Sequence, residues 1–338
     1  MKLKNILFVV SIVVGQLTAA SAQKYSSIGD LPLISGDTIY NCTVGYRTFG
    51  SLNKDKSNAI LFCTWYMGTS EDLQENIGGK SLVDSVKYFV IAVDALGDGI
   101  STSPSNYKGT HGKKYPIITI TDMVRSQYAM LRKEFGITQL HGIIGGSMGG
   151  MQVFDWIVTY PEYMKKAIAY VGTPRLSNYN RLTFSLLADI ITMGKKYSMS
   201  EADQSRVYSM TFDLVLRSPE HFNKTVSHQD FQKYLARYRR DSISTERFEN
   251  LLVQLSAMSD HDISLPWNNS METAASKVKA KLFIIVSDND LTVNPQPAIE
   301  FAKMTNAQLL QLQNDCGHLA PGCESEKCNA MIREFFDR

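Results

Sequence analysis

The stretch that most limits what this chain can become is Gly145-Gly146-Ser147-Met148-Gly149-Gly150. An apolar, strand-like run at 140–144 precedes it, and a helix-like run at 151–160 follows. A strand that turns sharply at a serine between glycines and continues as a helix is a nucleophile elbow. Ser147 must take a strained backbone conformation so that its hydroxyl stands clear of the sheet. The glycines two before and two after it are needed because a Cβ there would collide with the neighbouring strand or helix. The helix that follows then aims backbone N–H groups and its positive dipole end at any oxyanion formed beside the serine.

A serine hydroxyl is a weak nucleophile until a base takes its proton. In folds with such an elbow the order along the chain is Ser, then Asp or Glu, then His. The histidines are His111, His141, His221, His228, His261 and His318. Only His318 lies beyond the last strand-end acid, in Asn314-Asp315-Cys316-Gly317-His318 after the apolar run 309–312. The acid should follow the preceding buried strand, 281–286, where the chain reads Ser287-Asp288-Asn289-Asp290. Asp290 is preferred as the carboxylate that orients the imidazole. Asp288 is the alternative, and its simpler role is a turn former bonding its own backbone.

An oxyanion hole needs two N–H donors. One is expected from the Met148 amide, directly after the nucleophile. The other is expected from the loop after the early strand 59–63, which reads Thr64-Trp65-Tyr66-Met67-Gly68. The Tyr66 amide is preferred, with Trp65 as the alternative, and both side chains would pack the pocket wall.

Strand-like runs recur at 38–49, 59–64, 88–93, 140–144, 167–171, 281–286 and 309–313, with helical patterns at 120–135 and 148–160 between them. Strands alternating with helices imply a largely parallel sheet covered on both faces, with its active site at the carboxyl ends of the strands. From 173 to 278 the pattern turns helical, at 181–193, 201–216, 229–240 and 245–258. This reads as a helical cap inserted into a core formed by 23–172 and 279–338. Such a cap excludes water and shapes the pocket. Met193, Met199, Met210 and Met258 belong to the cap core or its apolar wall, the run Arg237–Arg240 reads as a solvated face, and His261-Asp262 reads as an exposed pair.

Lys2 and Lys4, the apolar stretch 6–14 and Ala20-Ser21-Ala22 form a secretory signal, with cleavage expected after Ala22 and a secreted or periplasmic product. The apolar stretch is too short to span a bilayer. Removing it leaves 33 basic against 33 acidic side chains, from 35 and 33 in the full chain. A neutral balance argues against a nucleic-acid or anionic-membrane partner. Of the five cysteines, Cys42 and Cys63 fall in strand-like runs and should be inert buried thiols. Cys316, Cys323 and Cys328 cluster near His318, and one disulfide is expected within this trio, pairing open. No Cys or His pair has zinc spacing.

With these residues laid out, the chain resembles the homoserine O-acetyltransferase family of α/β-hydrolase-fold acyltransferases. The resemblance rests on Tyr46-Arg47-Thr48-Phe49-Gly50 with Ser57-Asn58-Ala59, on Asp122-Met123-Val124 with Gln127, and on Gly145 through Gln152. It implies an α/β-hydrolase fold, a Ser147 acyl-enzyme with ping-pong kinetics, and dimerisation through the cap. It also implies an Asp after the catalytic His, where this chain has Leu319. A cap Arg for the homoserine carboxylate is implied as well, where a gap-free match from Arg175-Leu176-Ser177 puts Ala188. A carboxylate and an ammonium are costly to desolvate without partners. Acetyl-CoA is moreover a cytoplasmic donor.

The expectation is therefore an exported serine hydrolase acting on a small-molecule ester through Ser147, His318 and Asp290, with no metal or organic cofactor. O-acyl transfer to a hydroxyl acceptor is the alternative, and a non-catalytic binding protein a third.

Overall fold

In the computed structural model, which describes residues 21–109, 114–240 and 242–338, eight strands form one sheet. They are β1 (Lys24–Pro32), β2 (Thr38–Phe49), β3 (Ala59–Cys63), β4 (Phe89–Val93), β5 (Leu140–Gly146), β6 (Met164–Tyr170), β7 (Lys281–Ser287) and β8 (Gln308–Leu312). The order is β1-β2-β4-β3-β5-β6-β7-β8. The first two strands run antiparallel, and the six from β4 to β8 in that order are parallel. The expected signal segment lies outside the described residues apart from Ser21 and Ala22.

The parallel strands β3 to β7 are largely buried on both faces, which is why they read as nearly continuous apolar runs, while β8 is a partly exposed edge strand. Successive side chains still alternate between two clusters. Ala59, Leu61 and Cys63 of β3 and Leu282, Ile284 and Val286 of β7 face one cluster. Ile60, Phe62, Phe283 and Ile285 face the other. Helices α1 (Ile120–Met130), α2 (Met148–Thr159) and, later in the chain, Gln296–Thr305 cover the first face, and Ser325–Asp337 covers the second. Thr119 and Asp122 start α1 with a reciprocal capping box.

Between β6 and β7 lie α3 (Asn178–Lys196), α4 (Glu201–Leu216), α5 (Pro219–Thr225), α6 (Phe231–Ala236), α7 (Thr245–Ser259) and α8 (Met271–Ser276). The helices after β7 are α9 (Gln296–Thr305), α10 (Ala320–Cys323) and α11 (Ser325–Asp337). Phe184, Leu187 and Ile191 of α3, Tyr208 of α4 and Phe248, Leu251 and Leu255 of α7 form a third cluster, which meets Tyr66, Met148 and Met151 of the core. The span 173–278 contributes residues to more than one packing cluster. Ile263, Ala274 and Ala275 pack into the main cluster with Ala298 and Phe301. The three small or branched apolar residues give the stretch 263–275 a face that fits the sheet-covering layer.

His261 also departs from expectation. It is buried rather than exposed, and its Nε2 lies 3.0 Å from the Thr173 carbonyl oxygen. Asp262 meanwhile pairs with Arg175 at 2.7 Å. The two residues clasp the exit of the helical segment to its entrance. Met193 and Met199 are exposed, so of the four methionines only Met258 lines the cavity described below. Among the described residues, no helix is long and apolar enough to cross a membrane.

Candidate active site

Ser147 stands between β5 and α2 with φ 55° and ψ −122°, a conformation that L-residues rarely hold. The surroundings enforce it. The Ser147 amide donates to the Tyr170 carbonyl at 3.0 Å, and the Ser147 carbonyl accepts from the Met151 amide at 3.0 Å. A Cβ on Gly145 would lie 2.3 Å from the Gly149 oxygen, and one on Gly149 would lie 2.5 Å from the Cys63 oxygen. Both glycines are thus fixed by close backbone approach.

His318 Nε2 lies 2.9 Å from Ser147 Oγ, and His318 Nδ1 lies 2.7 Å from Asp290 Oδ2. The carboxylate accepts at Nδ1, so the proton sits there and the Nε2 lone pair faces the hydroxyl. The other Asp290 oxygen accepts from the amides of Thr292 at 2.8 Å and Val293 at 2.9 Å. These bonds lock the carboxylate, which is buried with the imidazole. Asp288 is exposed and meets Gln311 instead. The structure thus brings together Ser147, Asp290 and His318, and leaves Asp288 outside.

The loop carrying His318 is held from both sides. A disulfide joins Cys316 to Cys323 across it, while Cys328 is a buried free thiol. Gly317 has φ 67°, and a Cβ there would meet the Ser218 nitrogen at 2.8 Å, so this loop presses on the segment between α4 and α5. Ser218 Oγ donates to the Asp315 carbonyl. The Asp315 carboxylate accepts from Lys224 at 2.6 Å and meets His221 Nδ1 at 3.1 Å, and both hold its carboxyl below the usual range. His221, Asp315 and Cys316 cluster closely enough for a metal ion. Cys316 is bonded to Cys323, however, so it has no thiolate to offer. The thiols of Cys42 and Cys63 are buried, and burial pushes Cys42 up to about 12 and Cys63 higher still, so neither is nucleophilic.

On the opposite side of Ser147, Met148 is the first residue of α2, and a helix start leaves its leading amides without intrahelical carbonyls. Trp65, Tyr66 and Met67, in the turn after β3, line the same cavity as Ser147. A buried amide relay supports this turn. Trp156 Nε1 donates to Gln127 at 2.8 Å, Gln127 donates to Gln152, and Gln152 Nε2 donates to the Thr64 carbonyl at 3.0 Å. Two further supports come from the cap and were not foreseen from the sequence. The Tyr66 hydroxyl bonds that of Tyr208, and the Met67 amide donates to Gln254 at 3.3 Å. Neither contact has a local signal, because the partners are far apart in the chain.

The cavity over Ser147 and His318 has a volume of about 740 Å³. Phe184, Phe212, Leu216 and Met258 line it from the cap, and Leu319 from the His318 loop. Ala188 is absent from the lining and packs half-buried within the cap cluster. Among the described residues no Lys, Arg, Asp or Glu lines this space.

A strained serine after the fifth strand, an imidazole after the last and a mostly parallel sheet define the α/β-hydrolase class. Residues 58–321 match the α/β-hydrolase fold family, and the chain belongs to it. It is 31% identical over 307 residues to an ethyl acetate hydrolase of Pseudomonas veronii, covering 87% of this chain and 88% of that protein. It is 28% identical over 368 residues to a homoserine O-acetyltransferase of Methanosalsum zhilinae, covering 96% of this chain and 74% of that protein. Among solved structures, an acetylester hydrolase from Corynebacterium glutamicum is similar with a TM-score of 0.85 at 28% identity, covering 94% of this chain and 96% of that one. The chain is therefore an enzyme of the ester-hydrolysing and acyl-transferring branch of this family.

Proposed function

We propose that this enzyme hydrolyses small-molecule esters through a Ser147 acyl-enzyme. The single observation that carries this reading over acyl transfer to an amino acid is the cavity lining, which offers no charged partner for a carboxylate or an ammonium. In the first half-reaction His318 takes the Ser147 proton as Oγ attacks the ester carbonyl. Asp290 holds the ring and stabilises the imidazolium, and the Tyr66 and Met148 amides hold the oxyanion. His318 then protonates the departing alcohol. In the second half-reaction His318 activates a water that releases the acid and restores Ser147. None of these steps calls on a metal or an organic cofactor.

The same reading places the enzyme outside the cytoplasm. The N-terminal signal pattern supports export, as does a disulfide bracing the catalytic loop, since such bonds persist in oxidising compartments. It also includes a homodimer through the cap. Tyr179, Leu182, Leu186, Met193 and Tyr197 form an exposed apolar stripe along α3 that a second copy would cover.

The test compares wild type with Ser147→Ala on ethyl acetate, and on acetyl-CoA with homoserine. Wild type should turn over the ester, take a fluorophosphonate label on Ser147 and release no homoserine-dependent CoA; the variant should show no ester turnover, no label and no CoA release. Homoserine-dependent CoA release faster than ester hydrolysis would replace this reading with acyl transfer.

A further inference from the structure

The walls of the cavity have two separate origins. Phe184, Met258 and Tyr66 belong to the apolar cluster under the cap, and Phe212 packs against it. Leu82, Cys328 and Ile332 belong to the cluster between the sheet and α11, and Trp65 and Tyr170 pack against that one. The consecutive residues Trp65 and Tyr66 thus part company, one to each wall, and Gly146, Ser147 and His318 line the same space. The space is far larger than a minimal ester needs. Six heavy atoms, the size of ethyl acetate, fill about 180 Å³ at roughly 30 Å³ per heavy atom. The cavity holds about 740 Å³. The polar side chains reaching it away from the serine, such as Asn76, Thr292 and Asn329, are neutral.

We infer that the substrate is an uncharged ester with an apolar group of several carbons on each side of its carbonyl, one lodged against the cap wall and the other against the α11 wall. This deepens the ester-hydrolase reading and rests on it. Each methylene moved from water to such a wall favours the transition state by roughly two- to fourfold, the larger figure for complete burial. Leu216, at the end of α4, and Asn329, on α11, are the residues expected to set the length tolerated on their respective sides.

The experiment measures kcat/KM for two series: ethyl esters with the acyl group lengthened from acetyl to hexanoyl, and acetates with the alcohol lengthened from ethyl to hexyl. Both series should rise about two- to fourfold per methylene. Leu216→Trp should flatten one series and Asn329→Trp the other, each leaving the slope of its counterpart intact. Thermal midpoints and fluorophosphonate labelling report whether the variants fold; Leu216→Phe and Asn329→Phe serve if either tryptophan does not. Falling rates beyond acetyl and ethyl in wild type, or two variants that flatten the same series, overturn the inference. In either case labelling of Ser147 would leave the catalytic reading standing. A wild type without ester turnover or labelling would instead remove that reading itself.

Discussion

The helix behind the nucleophile and the helices of the cap are held by different means. Every residue of α2 from Met148 to Val158 is buried. Along α4 only Gln204, Ser205 and Tyr208 are buried, and α5 and α6 bury no residue. The core is fixed by dense apolar packing, whereas this part of the cap is fastened by a few polar tethers. Polar tethers from the cap as a whole end on loops that carry the site. Tyr208 and Gln254 hold the turn after β3, Asn180 and the Val215 carbonyl hold the segment after Asp290, and Ser218 holds the segment before His318. The difference teaches that the core sets the positions of the reacting atoms, while the cap governs what reaches them and steadies their loops.

Breaking the core's positioning should give the largest effect. Asp290→Asn keeps the shape but offers the imidazole the wrong partner, so kcat on a short ester should fall by about 10³- to 10⁴-fold. A fall under tenfold, with the variant folded, would mean that the carboxylate does not orient the base.

The packing contrast can be tested directly in urea. Phe154 is fully buried in α2 and meets Phe301 edge-on, with centroids 5.5 Å apart. Phe154→Ala should cost about 3–5 kcal/mol. Leu214 on the outer face of α4 is 70% exposed, and Leu214→Ala should stay within about 0.5 kcal/mol. Similar losses in the two variants would erase the distinction.

The clasp at the base of the cap should respond to acid. Burial pushes the His261 imidazole down to about 4 from an ordinary value of 6.5. The folded chain therefore binds fewer protons at this site than the unfolded chain between those two pH values. Stability should drop as the pH falls from 6.5 to about 4 and show no further loss from this group below that. The whole contribution is on the order of 3 kcal/mol. Urea midpoints measured across this range should flatten in His261→Gln, and an unchanged slope there would assign the acid response to other groups.

A single tether should matter least. Tyr208→Phe removes one buried hydroxyl pair and should lower stability by about 1 kcal/mol, with kcat/KM on a short ester falling roughly fivefold or less. A large loss of global stability would show that the cap is integral to the core after all.

Much of this was legible in the chain because the sheet writes itself in runs. The limits of β2 and of α4 match the sequence reading, and the parallel strands differ by a few residues at their ends. Ser147, Asp290 and His318 could be named because strand ends in this class constrain where such residues stand, and the structure brings these three side chains into contact. What escaped lacked a local signal. β1 buries only Ser26, Leu31 and its half-covered neighbours, and it pairs through irregular steps at Gly29, so no apolar run announces it. α5 buries nothing and is held by its Ser218 cap and by Pro219 in its first turn. His261 beside Asp262 looked like a solvated pair, but the ring is needed to meet the Thr173 carbonyl where the chain leaves and re-enters the core. Spacing alone does not say which two of Cys316, Cys323 and Cys328 meet, and the Cys316–Cys323 pairing is set by the fold of the His318 loop.

The most direct test of the account is to mix the enzyme rapidly with p-nitrophenyl acetate, quench within the first turnover and map the modified peptide by mass spectrometry. The account predicts a burst of about one p-nitrophenol per active site, with an acetyl group on Ser147 that water then removes. Steady hydrolysis with neither a burst nor any acetyl on Ser147, under conditions where deacylation has been slowed, would contradict it.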